Sequence, residues 1–539
     1  MRADPDRKVP ARSETAMAAT SHPAGVAAAV EVLKAGGNAV DAAIAMNAVM
    51  GVVEPTGCGL GGDLYALVWD RSESKLYGLN ASGRSPAAAS LDTLVKLGYS
   101  EMPARGPLSL SVPGCVSGWQ ALHARFGTRP WADLLLPAVA ASQEGVAVPP
   151  VIARSWAASR DVLESAALGP ETYLPGGRPP QAGDVFRNPK LASTLDEIAR
   201  NGAEAFYHGR IPAAIADHVA ALGGLLSASD FESHRADWVE PIGIGYRGRT
   251  VWQIPPPGQG LTVLSMLAIL DGFDLGSLSP VDRWHLMLEA KKLAYADRAA
   301  WIADPDFAPD RSQELLEPDR IRRRRESIDL ERAMDLPAPT DVGHPDTVTM
   351  TVVDRHRNAV SLIQSNYMGF GSGVMAADLG FMIQNRGCSF SLDPRHPNRL
   401  EPRKRPFHTI IPGFVTRRGQ AEFCFGVMGG DYQPQGQVAV LVGILDAGLD
   451  PQAAGDALRL EHVGSPQPTG RYGDVPPGKG AVFAEPGFPA DWQAALETKG
   501  HVFGAPAVNG GGYQGIWIEP DGTLVGASEC RKDGLADGF

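Results

Sequence analysis

Cysteine is scarce in this chain of 539 residues, and long apolar runs and an excess of basic residues are absent. The five cysteines are widely spaced, odd in number and form no CxxC pair, which argues against a zinc site and a disulfide framework. This usage fits a reducing compartment. No run reaches the roughly 18 apolar residues of a membrane-spanning helix. The net charge of -12 argues against nucleic acid or an anionic membrane as the main partner.

The N-terminal segment MRADPDRKVPARSETAMAAT carries charges but no apolar stretch of the kind that a secretory signal needs. A cytoplasmic location is therefore expected. The hydrophobic content of 44% and the charged content of 20% are typical of globular proteins with a sizeable core.

Residues 344–354 (HPDTVTMTVVD) contain the most informative residue, Thr347. Threonine alternates here with Val348, Met350 and Val352, which predicts a β-strand with one polar and one apolar face. Residues 355–358 predict a turn, and residues 359–365 predict the return strand. A threonine hydroxyl is a poor nucleophile inside a chain, but at a new N-terminus its own α-amine can take its proton. Taken alone, the stretch also fits an ordinary threonine at the start of a strand.

The segment before this strand, DLPAPTDVGHPD, is rich in proline and polar residues. Such a composition predicts an exposed, irregular segment, which suits a cleavage point between Asp346 and Thr347. Upstream of it, the basic run at residues 320–325 (RIRRRR) lies among glutamates, and this pattern is typical of a solvated helix face with ion pairs rather than a binding patch.

Four further stretches flank the predicted threonine strand: residues 24–63, 289–307, 429–436 and 526–539. In this order they resemble the γ-glutamyl transpeptidase family of N-terminal nucleophile hydrolases, and the resemblance runs from about Ala18 to Phe539. It implies an α+β fold, the four-layer αββα sandwich. It also implies self-cleavage into fragments 1–346 and 347–539 that together form one structural unit, with a dimer of such units as an option. The strand and helix patterns of both parts fit two packed sheets flanked by helices.

The resemblance also implies the catalytic groups. Thr347 would first attack the Asp346 carbonyl and later a substrate amide, forming an acyl-enzyme. Ser365, on the return strand, matches a hydroxyl residue that is hydrogen-bonded to the nucleophile. Gly429 and Gly430 follow an apolar strand, and their N–H groups would stabilise the oxyanion. Neither a metal nor a cofactor is implied, and the expected partner is a small-molecule amide.

The substrate pocket departs from the family pattern. The stretch Asn385-Arg386-Gly387-Cys388-Ser389-Phe390 stands where true transpeptidases have Asn-Gln-Met-Asp-Asp-Phe, and Cys388 falls at the aspartate that binds the α-amine. A neutral thiol cannot compensate an ammonium charge. His408 and Thr409 match two serines that hold the α-carboxylate. Arg84 lies two positions after the place of the carboxylate-binding arginine.

Asn366 and Tyr367 follow Ser365, and strand alternation predicts that only one of them faces the site. The pocket is therefore predicted to be more basic than that of a transpeptidase, through Arg84, Arg386 and His408. The alternative is that these cations pair with aspartates or glutamates elsewhere. The loop at residues 391–405 carries further cations that either favour an anionic substrate or solvate the loop.

Three functions remain open on the sequence. The first is hydrolysis or transfer of γ-glutamyl groups, as from glutathione. The second is cleavage of acyl groups without the α-amine, as in the related glutaryl-cephalosporin acylases, which the loss of the amine-binding acid favours. The third is an unprocessed binding protein, against which the presence of Thr347, Gly429 and Gly430 argues.

Overall fold

The computed structural model describes residues 9–335, 345–472, 478–507 and 511–539, with the backbone alone for residues 345–347. The strands, numbered along the chain, are β1 Ala11–Ser13, β2 Met17–Thr20, β3 Asp63–Asp70, β4 Lys75–Ala81, β5 Val146–Ala147, β6 Val185–Phe186, β7 Asp237–Val239, β8 Ile242–Tyr246, β9 Arg249–Gln253, β10 Pro345–Val353, β11 Ala359–Met368, β12 Val374–Met375, β13 Met382–Ile383, β14 Gly413–Arg417, β15 Gln420–Met428, β16 Leu460–Val463, β17 Ala481–Ala484, β18 Gly512–Ile518, β19 Leu524–Ser528 and β20 Leu535–Gly538.

The helices, numbered in the same way, are α1 Pro23–Lys34, α2 Ala39–Val53, α3 Leu91–Lys96, α4 Cys115–Phe126, α5 Trp131–Glu144, α6 Pro150–Ala158, α7 Arg160–Ser165, α8 Gly169–Tyr173, α9 Pro189–Asn201, α10 Glu204–Tyr207, α11 Arg210–Ala221, α12 Ala228–Glu232, α13 Gly260–Leu270, α14 Pro280–Trp301, α15 Ser312–Leu315, α16 Pro318–Glu326, α17 Gln433–Leu445, α18 Pro451–Asp456 and α19 Ala490–Thr498. Short 3₁₀ turns occur at Pro107–Ser109, Pro175–Gly177, Arg386–Ser389 and Gly430–Tyr432.

Two antiparallel seven-stranded sheets form the centre of the molecule. The first has the order β1-β19-β18-β15-β14-β9-β8, and the second has the order β20-β2-β10-β11-β3-β4-β7. Each sheet contains strands from both sides of residue 346. The backbone hydrogen bonds of the sheets therefore hold the two parts of the chain together as one unit.

The sheets pack face to face and are covered by helices on their outer faces. Apolar side chains such as Tyr65, Ile363 and Phe414 form the core between the sheets. Helices α1, α2, α5 and α9 pack on the outer face of the second sheet, and α13, α14 and α17 pack on that of the first. This arrangement confirms the predicted four-layer α+β sandwich.

The predicted interruption of the first long helix is confirmed. Helix α1 ends at Lys34, and α2 begins after Asn38, whose side chain accepts hydrogen bonds of 2.9 Å from the N–H groups of Val40 and Asp41. Asp41 in turn accepts a 3.0 Å bond from the Asn38 N–H, which completes a capping box.

The predicted hairpin around Thr347 is also present as β10 and β11. Its apolar residues Val348, Met350 and Val352 belong to the core beneath α2, as the alternation indicates. Its polar face is buried as well, because Thr349 and Thr351 point into the space between the sheets and have no exposed surface. A Cβ atom on Gly426 of the opposite sheet would lie 2.0 Å from Thr349 Oγ1, so glycine permits this close approach.

The basic run forms α16 and is ion-paired, as predicted: Arg320 and Arg324 both bind Asp297, and Arg322 binds Asp319 at 2.7 Å. Among the described residues, no helix combines the length and the apolar character needed to cross a lipid bilayer.

Candidate active site

A β-bulge lies beside Thr347. In the register between β10 and β11, Asp346 is opposite Tyr367 and Val348 is opposite Gln364, so Ser365 and Asn366 share the position across from Thr347. Bulges redirect side chains and are frequent near active sites. The Tyr367 N–H donates a 2.8 Å hydrogen bond to Ser365 Oγ, which fixes the serine hydroxyl at this bulge. The fold thus brings Ser365 next to Thr347, as the sequence predicts.

Arg386 is a buried cation beside this bulge. Tyr367 has a φ of 79°, and its ring lies 3.9 Å from the Arg386 guanidinium. One guanidinium nitrogen of Arg386 donates a 2.9 Å bond to Thr409 Oγ1, whereas Nε and the other terminal nitrogen have no partner. Burial lowers the pKa of Arg386, because a guanidinium loses its hydration in the interior. No described carboxylate forms an ion pair with it. The site therefore holds a positive charge with free donors.

His408 is neutral rather than a second cation. Its Nε2 donates a 2.9 Å hydrogen bond to Asp63 Oδ2, and its Nδ1 accepts from the Ile410 N–H at 3.3 Å. Burial first, and the charge of Arg386 second, lower the pKa of His408 to about 4. The interpretation of His408 as a positive group in the pocket is therefore wrong, since an uncharged imidazole costs less to bury.

Asp63 is a site residue that the sequence reasoning missed. Besides His408, its carboxylate accepts 2.8 Å bonds from Gln384 Nε2 and the Gly83 N–H, and the residue has no exposed surface. Asp63 is paired with Ser365 in the register of β3 and β11. An aspartate at the start of a strand, next to the glycines of residues 57–62, was the available signal. Its charge also raises the pKa of Arg386 without contacting it.

Arg84 points to acidic residues instead of the pocket. It pairs with Asp306 at 2.9 Å, with Asp304 at 3.5 Å and with Asp237 at 3.7 Å. These partners satisfy its charge, so the prediction that Arg84 binds a substrate carboxylate loses its physical basis. The cations of the loop at residues 391–405 are paired in the same way, for example Lys404 with Glu401 at 2.9 Å and Arg405 with Asp237 at 2.7 Å.

Cys388 offers no negative charge near Arg386. Burial raises the pKa of its thiol to about 12, so the group is neutral at physiological pH. Its sulfur accepts a weak 3.8 Å bond from the Asn385 amide. Asn366 donates to the Cys58 carbonyl at 3.1 Å, so that of Asn366 and Tyr367 it is Tyr367 that contacts Arg386.

Gly429 and Gly430 form the turn between β15 and α17. Both have left-handed backbone conformations, with φ of 118° and 53°, which favour glycine. A Cβ atom on Gly429 would also lie 3.1 Å from Gly511 Cα. The turn contacts β10, so the two glycines lie beside the strand that carries Thr347.

Among the described residues, one cluster has the composition of a metal site. It consists of His285, Glu289 and His501, whose donor atoms lie within 4.8 Å of one another. The facing nitrogens of the two imidazoles are already hydrogen-bonded at 2.9 Å, and Lys292 pairs with Glu289 at 2.8 Å. These contacts satisfy the cluster without an ion.

Comparisons with known proteins agree with this geometry. The family model for gamma-glutamyltranspeptidase matches residues 25–539. The glutathione hydrolase-like YwrD proenzyme of Bacillus subtilis is 35% identical over 94% of this chain and 95% of its own length. The oxamate amidohydrolase proenzyme of Klebsiella pneumoniae is 34% identical over 97% and 98%. The crystal structure of cephalosporin acylase from Bacillus halodurans aligns with a TM-score of 0.92 and 39% identity, covering 100% of this chain and 98% of that chain. The chain therefore belongs to the gamma-glutamyltranspeptidase family of proenzymes, which includes amidohydrolases, acylases and transpeptidases.

Proposed function

We propose that this protein is a self-processing amidohydrolase that uses Thr347 as its nucleophile and cleaves amides whose acyl group carries a carboxylate but no α-amine. The observation that carries this proposal is the buried Arg386 guanidinium, which has donors without partners and no ion-paired carboxylate. A buried charge is costly unless it is paired. A carboxylate from the substrate would supply the missing partner with the bidentate geometry that guanidinium favours.

Processing and turnover would use the same hydroxyl. In the precursor, Thr347 Oγ attacks the Asp346 carbonyl, and the peptide nitrogen of Thr347 leaves as an amine. Water then opens the ester and releases fragments of 346 and 193 residues. In the mature enzyme, the new α-amine takes the hydroxyl proton as Oγ attacks the substrate amide. The N–H groups of Gly429 and Gly430 stabilise the oxyanion, the protonated amine leaves, and water hydrolyses the acyl-enzyme.

The absence of an acid for an ammonium group supports acyl donors without the amine. Cys388 is a neutral thiol at the matching position. Asp63, the carboxylate of the site, is already bonded by His408, Gln384 and Gly83. The relatives named for oxamate and cephalosporins fit this class, since neither name refers to a γ-glutamyl group.

A second candidate is γ-glutamyl hydrolysis or transfer of the glutathione hydrolase type, which the relative named glutathione hydrolase-like favours. The deciding experiment compares γ-glutamyl anilide with glutaryl anilide, because these substrates differ only in the α-amine. We expect the higher catalytic efficiency with the glutaryl compound. Cys388→Asp should shift the ratio towards the γ-glutamyl compound. Cys424→Asp is no control, because Cys424 lies in the core, but Cys530→Asp changes an exposed thiol and should leave the ratio unchanged.

A wild-type preference of tenfold for the γ-glutamyl compound, equal to about 1.4 kcal/mol, would refute the desamino specificity and favour the second candidate. A denaturing gel of the purified protein separates both enzymes from the third candidate, the unprocessed binding protein. A single band of full length and no release of aniline from either substrate would support the binding protein.

A further inference from the structure

Gln259 connects the two halves of the proposed site through one nitrogen atom. It lies just before α13 and is fully buried. Its Nε2 donates hydrogen bonds of 2.8 Å to the carbonyl oxygen of Gly430 and of 2.8 Å to the carbonyl oxygen of Thr409. An amide NH₂ group has two hydrogens, so both of its donor positions are used.

The orientation of this amide is fixed from its other end. Gln259 Oε1 accepts a 2.7 Å bond from Arg298, which also binds Asp431 at 3.1 Å and Gln467 at 2.6 Å. The Arg298 guanidinium lies 4.0 Å from the Tyr295 ring. A flip of the Gln259 amide would place NH₂ against a guanidinium, which has no acceptor, so the bridge to Gly430 and Thr409 has one arrangement.

The two bridged residues belong to the groups that would hold opposite ends of the acyl chain. Gly430 is part of the proposed oxyanion site, at the reacting carbonyl. Thr409 Oγ1 accepts the 2.9 Å bond from Arg386, the proposed anchor of the distal carboxylate. Gln259 therefore ties the Gly430 backbone to the Thr409 backbone and limits how far the two ends of the pocket can move apart.

We propose that Gln259 is a positioning residue that sets which length of dicarboxylic acyl chain the enzyme prefers, an inference that rests on the proposed function. The acyl group must place its carbonyl at the oxyanion donors while its carboxylate reaches Arg386. Chains of the wrong length meet one requirement at the expense of the other. A misplacement of about 1 Å can cost about 100-fold in rate, and one methylene group is worth about 10- to 200-fold in discrimination.

The test uses anilides of oxalic, malonic, succinic, glutaric and adipic acids with purified, processed enzyme. The wild type should show one preferred length. In Gln259→Met, which keeps the volume but removes both donors, kcat/KM at that length should fall about 10- to 100-fold. The ratio between the preferred acyl chain and the chain one methylene longer should fall to within about threefold. This ratio does not depend on the fraction of folded enzyme, so a merely structural defect would leave it unchanged.

Gln452→Met is the matched control. Gln452 is also buried, and its amide donates at 3.0 Å to a backbone carbonyl, that of Ser528, but it does not contact the site. It should keep the wild-type length profile. Arg298→Lys, which loses the bond pattern that orients Gln259, should broaden the profile in the same direction. It decides the question if Gln259→Met is not recovered in processed form.

A wild-type profile in both Gln259→Met and Arg298→Lys would overturn the positioning role and leave the proposed function intact. A wild-type enzyme that cleaves none of the five anilides, but cleaves γ-glutamyl anilide, would overturn the proposed function and the inference that rests on it.

Discussion

Replacing Arg386 by methionine should separate activity from stability. In the unliganded protein the guanidinium is fully buried, with one hydrogen bond to Thr409 and two nitrogens without partners. If a substrate carboxylate completes this pair, the variant leaves that carboxylate buried and unpaired. Removing one partner of a buried ion pair costs about 3–5 kcal/mol. At about 1.36 kcal/mol per factor of ten, kcat/KM should fall about 150-fold to about 5,000-fold.

The stability of the free protein should change in the opposite direction or not at all. Methionine removes a desolvated charge but also the Thr409 bond and the contact with the Tyr367 ring. An unsatisfied buried polar group costs about 1–3 kcal/mol, and each lost contact offsets about 1 kcal/mol of this gain. We expect an unfolding free energy between the wild-type value and about 2 kcal/mol above it.

The assay compares glutaryl anilide with valeryl anilide, in which a methyl group replaces the distal carboxylate. Arg386→Met should lose activity on the glutaryl compound and change little on the valeryl compound, while urea unfolding reports stability. Arg459→Met is the control, because Arg459 is also buried but pairs with Glu529 at 2.5 Å. It should lower stability and leave the substrate ratio unchanged. An equal loss on both substrates in Arg386→Met would refute the carboxylate anchor.

Three further predictions concern processing, the oxyanion site and acid stability. Thr347→Ala should leave one chain of 539 residues by intact mass, and cleavage at residue 346 in that variant would exclude Thr347 as the processing nucleophile. Gly430→Val places a β-branched residue at φ 53° and should lower kcat by about 100-fold or more in processed enzyme, whereas undiminished turnover would remove this turn from the mechanism. Burial lowers the pKa values of these histidines to about 3 or 4: His22, His234, His396, His408 and His501. The unfolded chain therefore binds more protons than the native protein below about pH 6.5, and the urea midpoint should fall from pH 7 to pH 5. Glu461, whose pKa burial raises to about 7, opposes this with one group, and a midpoint that does not fall over this range would contradict the assignment.

Local patterns in the sequence sufficed for the elements whose cause is local. The alternation after Thr347 predicted the β10–β11 hairpin, and the Gly36-Gly37-Asn38 break predicted where α1 ends and α2 begins. The strand expected at residues 407–415 begins only at Gly413. Residues 408 and 409 follow the site instead, because the side chain of His408 and the backbone carbonyl of Thr409 hydrogen-bond to Asp63 and Gln259.

The sequence by itself determined the family, the position of Thr347 in its strand and the left-handed glycine turn at Gly429 and Gly430. Only the tertiary structure decided which predicted cation is available to a ligand. Arg84 and Arg386 look alike as residues, but Arg84 meets Asp304 and Asp306, whereas Arg386 meets an aromatic ring and a hydroxyl. His408 is neutral because Asp63, 345 positions away in the chain, lies against it in a buried site. The physical reason is that the charge state and availability of a side chain depend on desolvation and on partners brought together by folding, which short-range sequence patterns do not encode.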